Sequence, residues 1–182
     1  MRVLQVSTSD LAGGAERVAW NLHQAYLKRG LDAWMAVGHK KTETAEVFAI
    51  PNNASRHRWA RLWLSIAERV SPWPAGYYGP RWPPSWLYWI GQPRSYLKLR
   101  FGYEDFDYPG TWRLLDIAGE RPSLVHCHNL HGYYFDLRAL PWLSREVPVL
   151  LTLHDAWLLS GHCAHSFDCE RWRDGCGRCP DL

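Results

Sequence analysis

Several features that would assign this chain to a protein class are missing from it. No run of about 18 apolar residues occurs, so no transmembrane helix is predicted. Met1-Arg2 leads straight into a short strand-like segment, whereas a signal peptide needs a longer apolar region and a small-residue cleavage site. We therefore expect a cytoplasmic protein, in which cysteines are more often thiols or metal ligands than disulfides.

A large net charge is also lacking, because the 182 residues carry a formal charge of only +3. An excess this small does not indicate nucleic acid as a partner. The chain has no internal repeat and no low-complexity tract, and its hydrophobic fraction of 47% is ordinary for a globular protein. Its length is sufficient for one domain with a sizeable core.

Positive charge is concentrated in residues 56–100, which hold eight basic residues and a single acid, Glu68. The same stretch contains six of the twelve tryptophans and four tyrosines. This composition is typical of a surface that rests on anionic lipid headgroups, so we expect contact with a membrane surface. The alternative is an aromatic-rich insertion packed on the core, with arginine stems covering the rings.

Strand-like and helical segments alternate along the chain. This alternation predicts an α/β fold in which a parallel sheet is flanked by helices through right-handed crossovers. Prolines and glycines between residues 71 and 93 break any long regular element, so about 54–110 is predicted to be an insertion into this framework. Strands are predicted at residues 2–7, 31–37, 47–50, 123–128 and 148–153, and helices at 15–29, 54–70, 111–118 and 132–144.

A glycine-containing turn, Gly13-Gly14-Ala15-Glu16, joins the first predicted strand to the first predicted helix. Glycines at this position let a ligand approach backbone N–H groups, and a helix N-terminus favours an anion such as phosphate. The turn has neither the Gly-x-Gly-x-x-Gly fingerprint nor a following Gly-Lys-Ser/Thr, so it is not a standard dinucleotide site or P-loop. A tight strand-to-helix turn without a ligand is the alternative.

Two predicted strands end in histidines, one at His128-Asn129 and the other at His154-Asp155. In open α/β sheets, ligands bind at the carboxyl ends of the strands. His154 is therefore a candidate to hydrogen-bond a ligand hydroxyl or phosphate, and Asp155 is a candidate for ligand contact or for capping a helix. His126, within its strand, is predicted to be a core histidine with satisfied hydrogen bonds.

Four of the five cysteines lie near the end of the sequence given. The last two of these cysteines, Cys176 and Cys179, form a Cys-x-x-Cys pair, whose spacing lets two thiolates bind one tetrahedral Zn²⁺. Four protein ligands would make the site structural, because no coordination position stays open. A redox pair, disulfides and unligated thiols remain alternatives. The predicted ligands are Cys163, Cys169, Cys176 and Cys179, with His162 or His165 as substitutes.

Together these segments resemble the N-terminal domain of GT-B glycosyltransferases of the family-4, or group 1, type. The cysteine-containing tail resembles a subgroup found among bacterial exopolysaccharide and capsule transferases. The resemblance covers nearly the whole chain but only half of such an enzyme. The matching segments are the glycine turn at 13–16, residues 124–129, residues 148–155, and the tail from Trp157 with its cysteines, Trp172 and the Gly-Cys-Gly-Arg-Cys-Pro run at 175–180.

The resemblance implies that residues 1–182 form one Rossmann-like domain, with a cysteine-rich tail at 160–182. A C-terminal domain, absent from this chain, would bind a UDP- or GDP-sugar. The enzyme would transfer the sugar to a glycan or lipid-linked acceptor in cell-surface polysaccharide biosynthesis. Such transfer usually retains anomeric configuration and needs no catalytic metal, because backbone dipoles and basic groups stabilise the departing diphosphate.

The resemblance also assigns roles to residues. His154 would position the transferred sugar and is the catalytic candidate. The protein would be peripheral at the inner face of the plasma membrane. One alternative is a stand-alone zinc-stapled module that binds a membrane or glycan without catalysis. A zinc hydrolase using the three strand histidines has less support, because no His-Glu-x-x-His motif is present. The substrate-binding candidates are Gly13, Gly14, Glu16, His128, Asn129 and Asp155.

Overall fold

A computed structural model describes residues 1–70, 85–101, 103, 105–160 and 163–176 of the chain. Its strands are β1 (Arg2–Ser9), β2 (Asp32–His39), β3 (Val47–Ala49), β4 (Leu124–His128) and β5 (Val149–Thr152). They form one sheet of order β3-β2-β1-β4-β5, in which every neighbouring pair is parallel. The predicted α/β fold, a Rossmann-like parallel sheet flanked by helices, is confirmed.

Six α-helices and three 3₁₀ helices are assigned in the described ranges. None of these helices is both long enough and apolar enough to cross a bilayer. The α-helices are α1 (Gly14–Lys28), α2 (Arg58–Val70), α3 (Ser85–Gly91), α4 (Pro93–Arg100), α5 (Leu140–Glu146) and α6 (Trp157–Ser160), and the 3₁₀ helices are Pro109–Asp116, Leu137–Ala139 and Arg171–Arg173.

The two faces of the sheet differ in polarity. Side chains alternate along β1, so Leu4 and Val6 enter a large apolar cluster that also contains Tyr134. The opposite face, which α1 covers, carries Gln5 from β1 and His126 from β4, because the register pairs these two residues. The amide of Gln5 hydrogen-bonds to the backbone of α1 at 2.8 and 3.2 Å in its satisfied orientation. A doubly covered parallel sheet usually carries apolar residues on both faces, as Met35 and Val37 of β2 do on the side of α1, so the buried Gln5 and His126 beside them are unusual.

The segment after β4 departs from the predicted helix at 132–144, because α5 begins only at Leu140. Gly132 and Tyr133 both have positive φ, 106° and 62°, which a right-handed helix does not allow. Tyr134 is instead inserted into the core against β2, where a Cβ at Gly38 would lie 2.4 Å from the Cβ of Tyr134. The helix predicted at 111–118 is also different, since it is the 3₁₀ helix that ends at Asp116.

The predicted insertion contains α2, α3 and α4, and α2 begins at Arg58 rather than at residue 54. Trp59 Nε1 of α2 donates a hydrogen bond of 2.9 Å to the carbonyl of Ile90 in α3. Asn52, just after β3, joins this region to the framework, because its Nδ2 donates to the Tyr134 carbonyl at 2.8 Å. The segment that enters the insertion is therefore held to the loop that follows β4.

Candidate functional site

Strand register brings the two predicted histidine pairs together at the carboxyl edge of the sheet. β4 and β5 are neighbours, and His128 is paired with Thr152. His154 follows two residues later, so it reaches the position next to His128. The Nδ1 atom of His128 lies 3.1 Å from the Nε2 atom of His154, and the ring centroids are 5.4 Å apart with a stacked orientation.

A third histidine extends this cluster into the sheet. The ring of His126 lies 4.1 Å from that of His128 between centroids, and its Nε2 is 2.8 Å from Oγ1 of Thr152. His126 is buried, as predicted, but only one of its ring nitrogens has a hydrogen-bond partner. The three side chains therefore form a row from the buried strand to its exposed end, which we call the histidine row (His126, His128 and His154).

The buried members of the histidine row are neutral. Burial, followed by repulsion from the neighbouring His126 and His154, lowers the pKa of His128 to about 3. Burial, and then His154, also lowers the pKa of His126. Two protonated rings this close together would repel each other in a site with little water, so the uncharged state is strongly favoured.

Hydrogen bonding assigns the tautomers of the histidine row. His128 Nε2 and His126 Nδ1 are buried without a partner. A buried N–H without an acceptor is rarer than a buried acceptor without a donor. We therefore assign the proton of His128 to Nδ1, from which it donates to His154 Nε2, and this leaves the proton of His154 on Nδ1. Within the described part of the chain, that N–H has no hydrogen-bond acceptor, so it can donate to a ligand.

Asn129 holds the turn that follows β4. Its backbone lies in the left-handed region at φ 37°, which asparagine tolerates better than most residues. Its carbonyl accepts a hydrogen bond of 2.9 Å from the Tyr134 hydroxyl, and its Oδ1 accepts one of 3.4 Å from the His154 backbone N–H. Asn129 thus connects the ends of β4 and β5, and its amide already has a protein partner.

Both carboxylate oxygens of Asp155 also have protein partners. Oδ2 lies 2.7 Å from Nε2 of His131, and Oδ1 accepts a 3.0 Å hydrogen bond from the N–H of Trp157 at the start of α6. Partial burial raises the pKa of Asp155, but the hydrogen bonds from His131 and Trp157 outweigh it, so the pKa lies below its usual value. The predicted capping role is therefore confirmed, while ligand contact by Asp155 stays a prediction.

The glycine turn is exposed at the start of α1. Gly13 is the N-cap residue of this helix, and a Cβ at Gly14 would meet no atom within 4 Å. The carboxylate of Glu16 folds back over the turn, with Oε2 3.2 Å from where a Cβ of Gly13 would lie. The backbone is thus open to a ligand, but Glu16 places the helix's own negative charge beside the positive end of its dipole.

Asp10, which the sequence reading missed, orders this edge of the sheet. It is fully buried, and its carboxylate accepts hydrogen bonds from Lys41 N–H at 2.8 Å, Thr42 N–H at 2.7 Å and the Thr42 hydroxyl at 2.6 Å. Burial raises the pKa of Asp10, but the hydrogen bonds, led by that of the Thr42 hydroxyl, bring it below its usual value. Asp10 directly follows β1, but the first strand was predicted to end at residue 7, so the sequence analysis did not place Asp10 at a strand end.

Two of the candidate zinc ligands approach one residue. The backbone N–H of Cys163 lies 2.8 Å from Oγ of Ser160, and Sγ of Cys176 lies 3.7 Å from the Ser160 carbonyl. Cys169 is exposed to solvent. Of the other three residues named for this site, His165 is exposed, and His162 and Cys179 lie outside the described residues.

No group of three or more His, Cys, Asp or Glu side chains that could hold a metal ion occurs in the described ranges. The histidine row therefore does not form a metal site, which removes the geometric basis for the zinc hydrolase alternative. The described cysteines do not complete a site by themselves either. A zinc site in the tail would need His162 or Cys179, so the zinc prediction stays a prediction.

Comparison with known proteins gives one informative match. The chain is similar to an Escherichia coli (strain K12) protein provisionally named colanic acid biosynthesis glycosyl transferase WcaC, with 27% identity over 189 residues. The match covers 100% of this chain and 40% of that relative, so the chain spans two fifths of the relative's length. No family model matches the chain, and no solved structure matches it.

The neutral state of His128 predicts that the protein loses stability on mild acidification. The unfolded side chain binds a proton near pH 6.5, whereas the folded one binds it only near pH 3, so stability is fully present above pH 6.5 and falls below it. Each proton contributes a slope of about 1.4 kcal/mol per pH unit. The free energy of unfolding is measured in urea at several pH values between 3 and 6.5. In His128→Phe its dependence on pH should be weaker by the contribution of about one proton. The control His165→Phe, which changes an exposed histidine, should leave this dependence unchanged. Equal slopes for both variants would contradict the assignment.

Proposed function

We propose that this chain is the acceptor-side domain of a glycosyltransferase that uses a nucleotide-sugar donor. The acceptor would be a glycan or a lipid-linked glycan, and the pathway would build a cell-surface polysaccharide. The observation that carries the proposal is the His128–His154 pair at the carboxyl edge, which offers one ring N–H to a ligand. The similarity to a protein named as a polysaccharide biosynthesis transferase supports the reaction class.

In this proposal, His154 binds the transferred sugar as a neutral hydrogen-bond donor. Its Nδ1–H would donate to a sugar hydroxyl, and the buried His128 would keep His154 in the tautomer that makes this donation possible. A neutral donor orients a sugar without adding charge next to the developing positive charge at the anomeric carbon. Asn129 would act through the His154 backbone, because it connects the ends of the two strands.

The glycine turn is suited to the donor diphosphate. Backbone N–H groups at Gly13 and Gly14 would face the negative charge that grows on the departing group. This stabilisation needs no catalytic metal, and we expect retention of anomeric configuration, as the resemblance implies. We place the main nucleotide-binding contacts in a second domain, consistent with the relative being longer than this chain.

The role of His154 predicts a loss of transfer activity. In the full-length protein, His154→Ala should lower kcat/KM for a UDP- or GDP-sugar more than about tenfold, since a contact to the reacting sugar is removed. The control is His165→Ala, which changes an exposed histidine of the tail. Release of the nucleoside diphosphate measures turnover, and residues 1–182 alone should show none. Ordinary turnover by His154→Ala would refute the role, and absent turnover in the intact wild type would favour a non-catalytic binding module.

We also propose that the insertion helices contact an anionic membrane surface. Large apolar side chains on α2, α3 and α4 and at the C-cap of α4 are exposed, from 37% for Ile90 to 73% for the C-cap residue Phe101. Basic residues share the same helices, including Arg58, Arg61 and Arg100, all exposed. This combination supports membrane contact over complete packing on the core, because the arginine stems leave much of the apolar surface uncovered.

Membrane contact predicts binding to anionic vesicles. The protein should sediment with phosphatidylcholine vesicles that contain phosphatidylglycerol, and added salt should weaken this binding because it screens the charges. Phe101→Ser should lower the partition coefficient about tenfold, by loss of an inserted aromatic ring. The matched control is Phe167→Ser, since Phe167 is 83% exposed but lies in the tail. Equal effects of the two changes, or binding that salt does not alter, would contradict the surface.

For the tail, we propose a structural zinc held by Cys163, Cys169, Cys176 and Cys179. The approach of Cys163 and Cys176 to Ser160 supports a common centre for part of this set. The fifth cysteine, Cys127, is a poor ligand, because burial raises its pKa to about 12 and keeps it a thiol. Zinc would staple the tail and take no part in transfer.

The zinc proposal predicts about one metal ion per chain and a lower Tm after chelation, because thiolate ligation links metal binding to folding. Elemental analysis measures the stoichiometry, and a thermal melt with and without chelator measures the stabilisation. Cys176→Ser should lose the metal, whereas Cys127→Ala should keep it. A metal-free protein with an unchanged Tm would refute the site.

A further inference from the structure

A cavity of about 590 Å³ lies away from the histidine row, among the insertion helices and the loops beside them. It is open to solvent, and its volume falls in the range of about 300–1,000 Å³ that small-ligand pockets occupy. Its lining is rich in cationic and hydrogen-bonding side chains, among them Ser55, Arg56, His57, Arg94, Lys98 and Arg138.

Two helix N-termini meet at this cavity. Ser55 to His57 directly precede the 13-residue α2, and Gln92 is the N-cap residue of the eight-residue α4. Neither helix has an acidic residue in its first turn, and the side chain of Gln92 makes no capping hydrogen bond. At α2, Nδ1 of His57 accepts a hydrogen bond of 3.3 Å from Ala60 N–H, but no carboxylate stands in the first turn of either helix, in contrast to α1 with its Glu16.

Buried polar atoms without partners point to a missing ligand. The side chain of Arg56 is only 7% exposed, and its Nε has no hydrogen-bond partner. The hydroxyl of Ser55, on the same lining, is also buried without a partner. Such atoms are uncommon in native structures unless a ligand or water satisfies them.

The charges around the cavity leave one cation unmatched. Arg56 is ion-paired with Asp107, Lys98 with Asp105 at 3.3 Å, and Arg138 with Asp136 at 2.8 Å. Asp107 also lines the cavity, but its negative charge is matched by Arg56. Arg94, exposed at the start of α4, forms no ion pair within the described ranges. The uncompensated charge is therefore that of Arg94 and the two helix ends, and it is positive.

We propose that this cavity binds a phosphate or diphosphate group, and that this group belongs to the acceptor. The assignment to the acceptor rests on the proposed function, but phosphate binding does not. Ser55 and Arg56 Nε would donate to the phosphate oxygens, and Arg94 would close the open side with a charge-assisted hydrogen bond. The ring of Trp59, which also lines the cavity, would give the acceptor an apolar surface beside its charge.

Titration with inorganic pyrophosphate, followed by calorimetry and by amide NMR shifts, tests the site in the full-length protein. We expect binding that weakens with salt and shifts the amides of residues 55–60 and 92–95. Arg94→Gln should weaken it about fivefold, by loss of one charge-assisted contact. The matched control, Arg145→Gln, removes the same charge from an exposed arginine of α5 outside the cavity lining, and should change affinity less than about twofold.

Two further titrations distinguish a lipid-linked phosphate from a soluble one as the natural ligand. Phosphatidylcholine vesicles that carry a long-chain isoprenyl diphosphate represent a lipid-linked acceptor, and a soluble sugar phosphate represents a free one. Dependence on Arg94 in either arm supports the site and identifies its source. The proposal is overturned if pyrophosphate does not bind, or if Arg94→Gln and Arg145→Gln weaken binding equally. If sugar transfer fails while Arg94-dependent binding persists, the proposed function falls but the phosphate site stands.

Discussion

The burial of a neutral imidazole at the end of β4 is the constraint on which the histidine row depends. His128 is only 1% exposed, so its hydrogen bond to His154 forms without competition from water. A charged ring there would lack solvation and would repel its neighbours, which fixes both the protonation state and the direction of the hydrogen bond. The chemistry offered at the exposed end of the row is thus decided at its buried end.

Side-chain to backbone hydrogen bonds hold the loops around this row. Asp10 binds the N–H groups after β2, Asn129 binds the N–H of His154, and Asp155 binds the start of α6. Asn52 connects the segment after β3 to the loop after β4 in the same way. Backbone N–H and C=O groups in loops at a sheet edge have no neighbouring strand to bond to, so short polar side chains supply their hydrogen-bond partners. The result is a candidate site supported by ordered loops on a rigid sheet.

The sequence was sufficient for the alternation of strands and helices, because period-two and period-3.6 patterns are local. It also indicated that His128 and His154 would lie at the carboxyl edge of the sheet, since parallel strands end at one edge, whereas the adjacency of β4 and β5 is a finding of the structure. The burial of His128 and the role of Asp10 depend on strand register and on the packing of α1 over the sheet. Both involve segments far apart in the sequence, so no local pattern indicates them. The helix predicted at 132–144 was wrong in its first half, because insertion of Tyr134 into the core outweighed helical periodicity.

The two candidate sites differ in charge, so they suit different parts of the proposed ligand. The histidine row is uncharged in its buried part, and the nearest carboxylate, Asp155, is already bound by His131 and Trp157. Such a site suits neutral hydroxyl groups, because a phosphate there would find no uncompensated positive charge. The cavity between α2 and α4 has the opposite character, with Arg94 and two helix ends left unmatched. It also adjoins the helices that expose aromatic and basic side chains, so a phosphate on a membrane-bound acceptor would meet a cation beside the lipid surface.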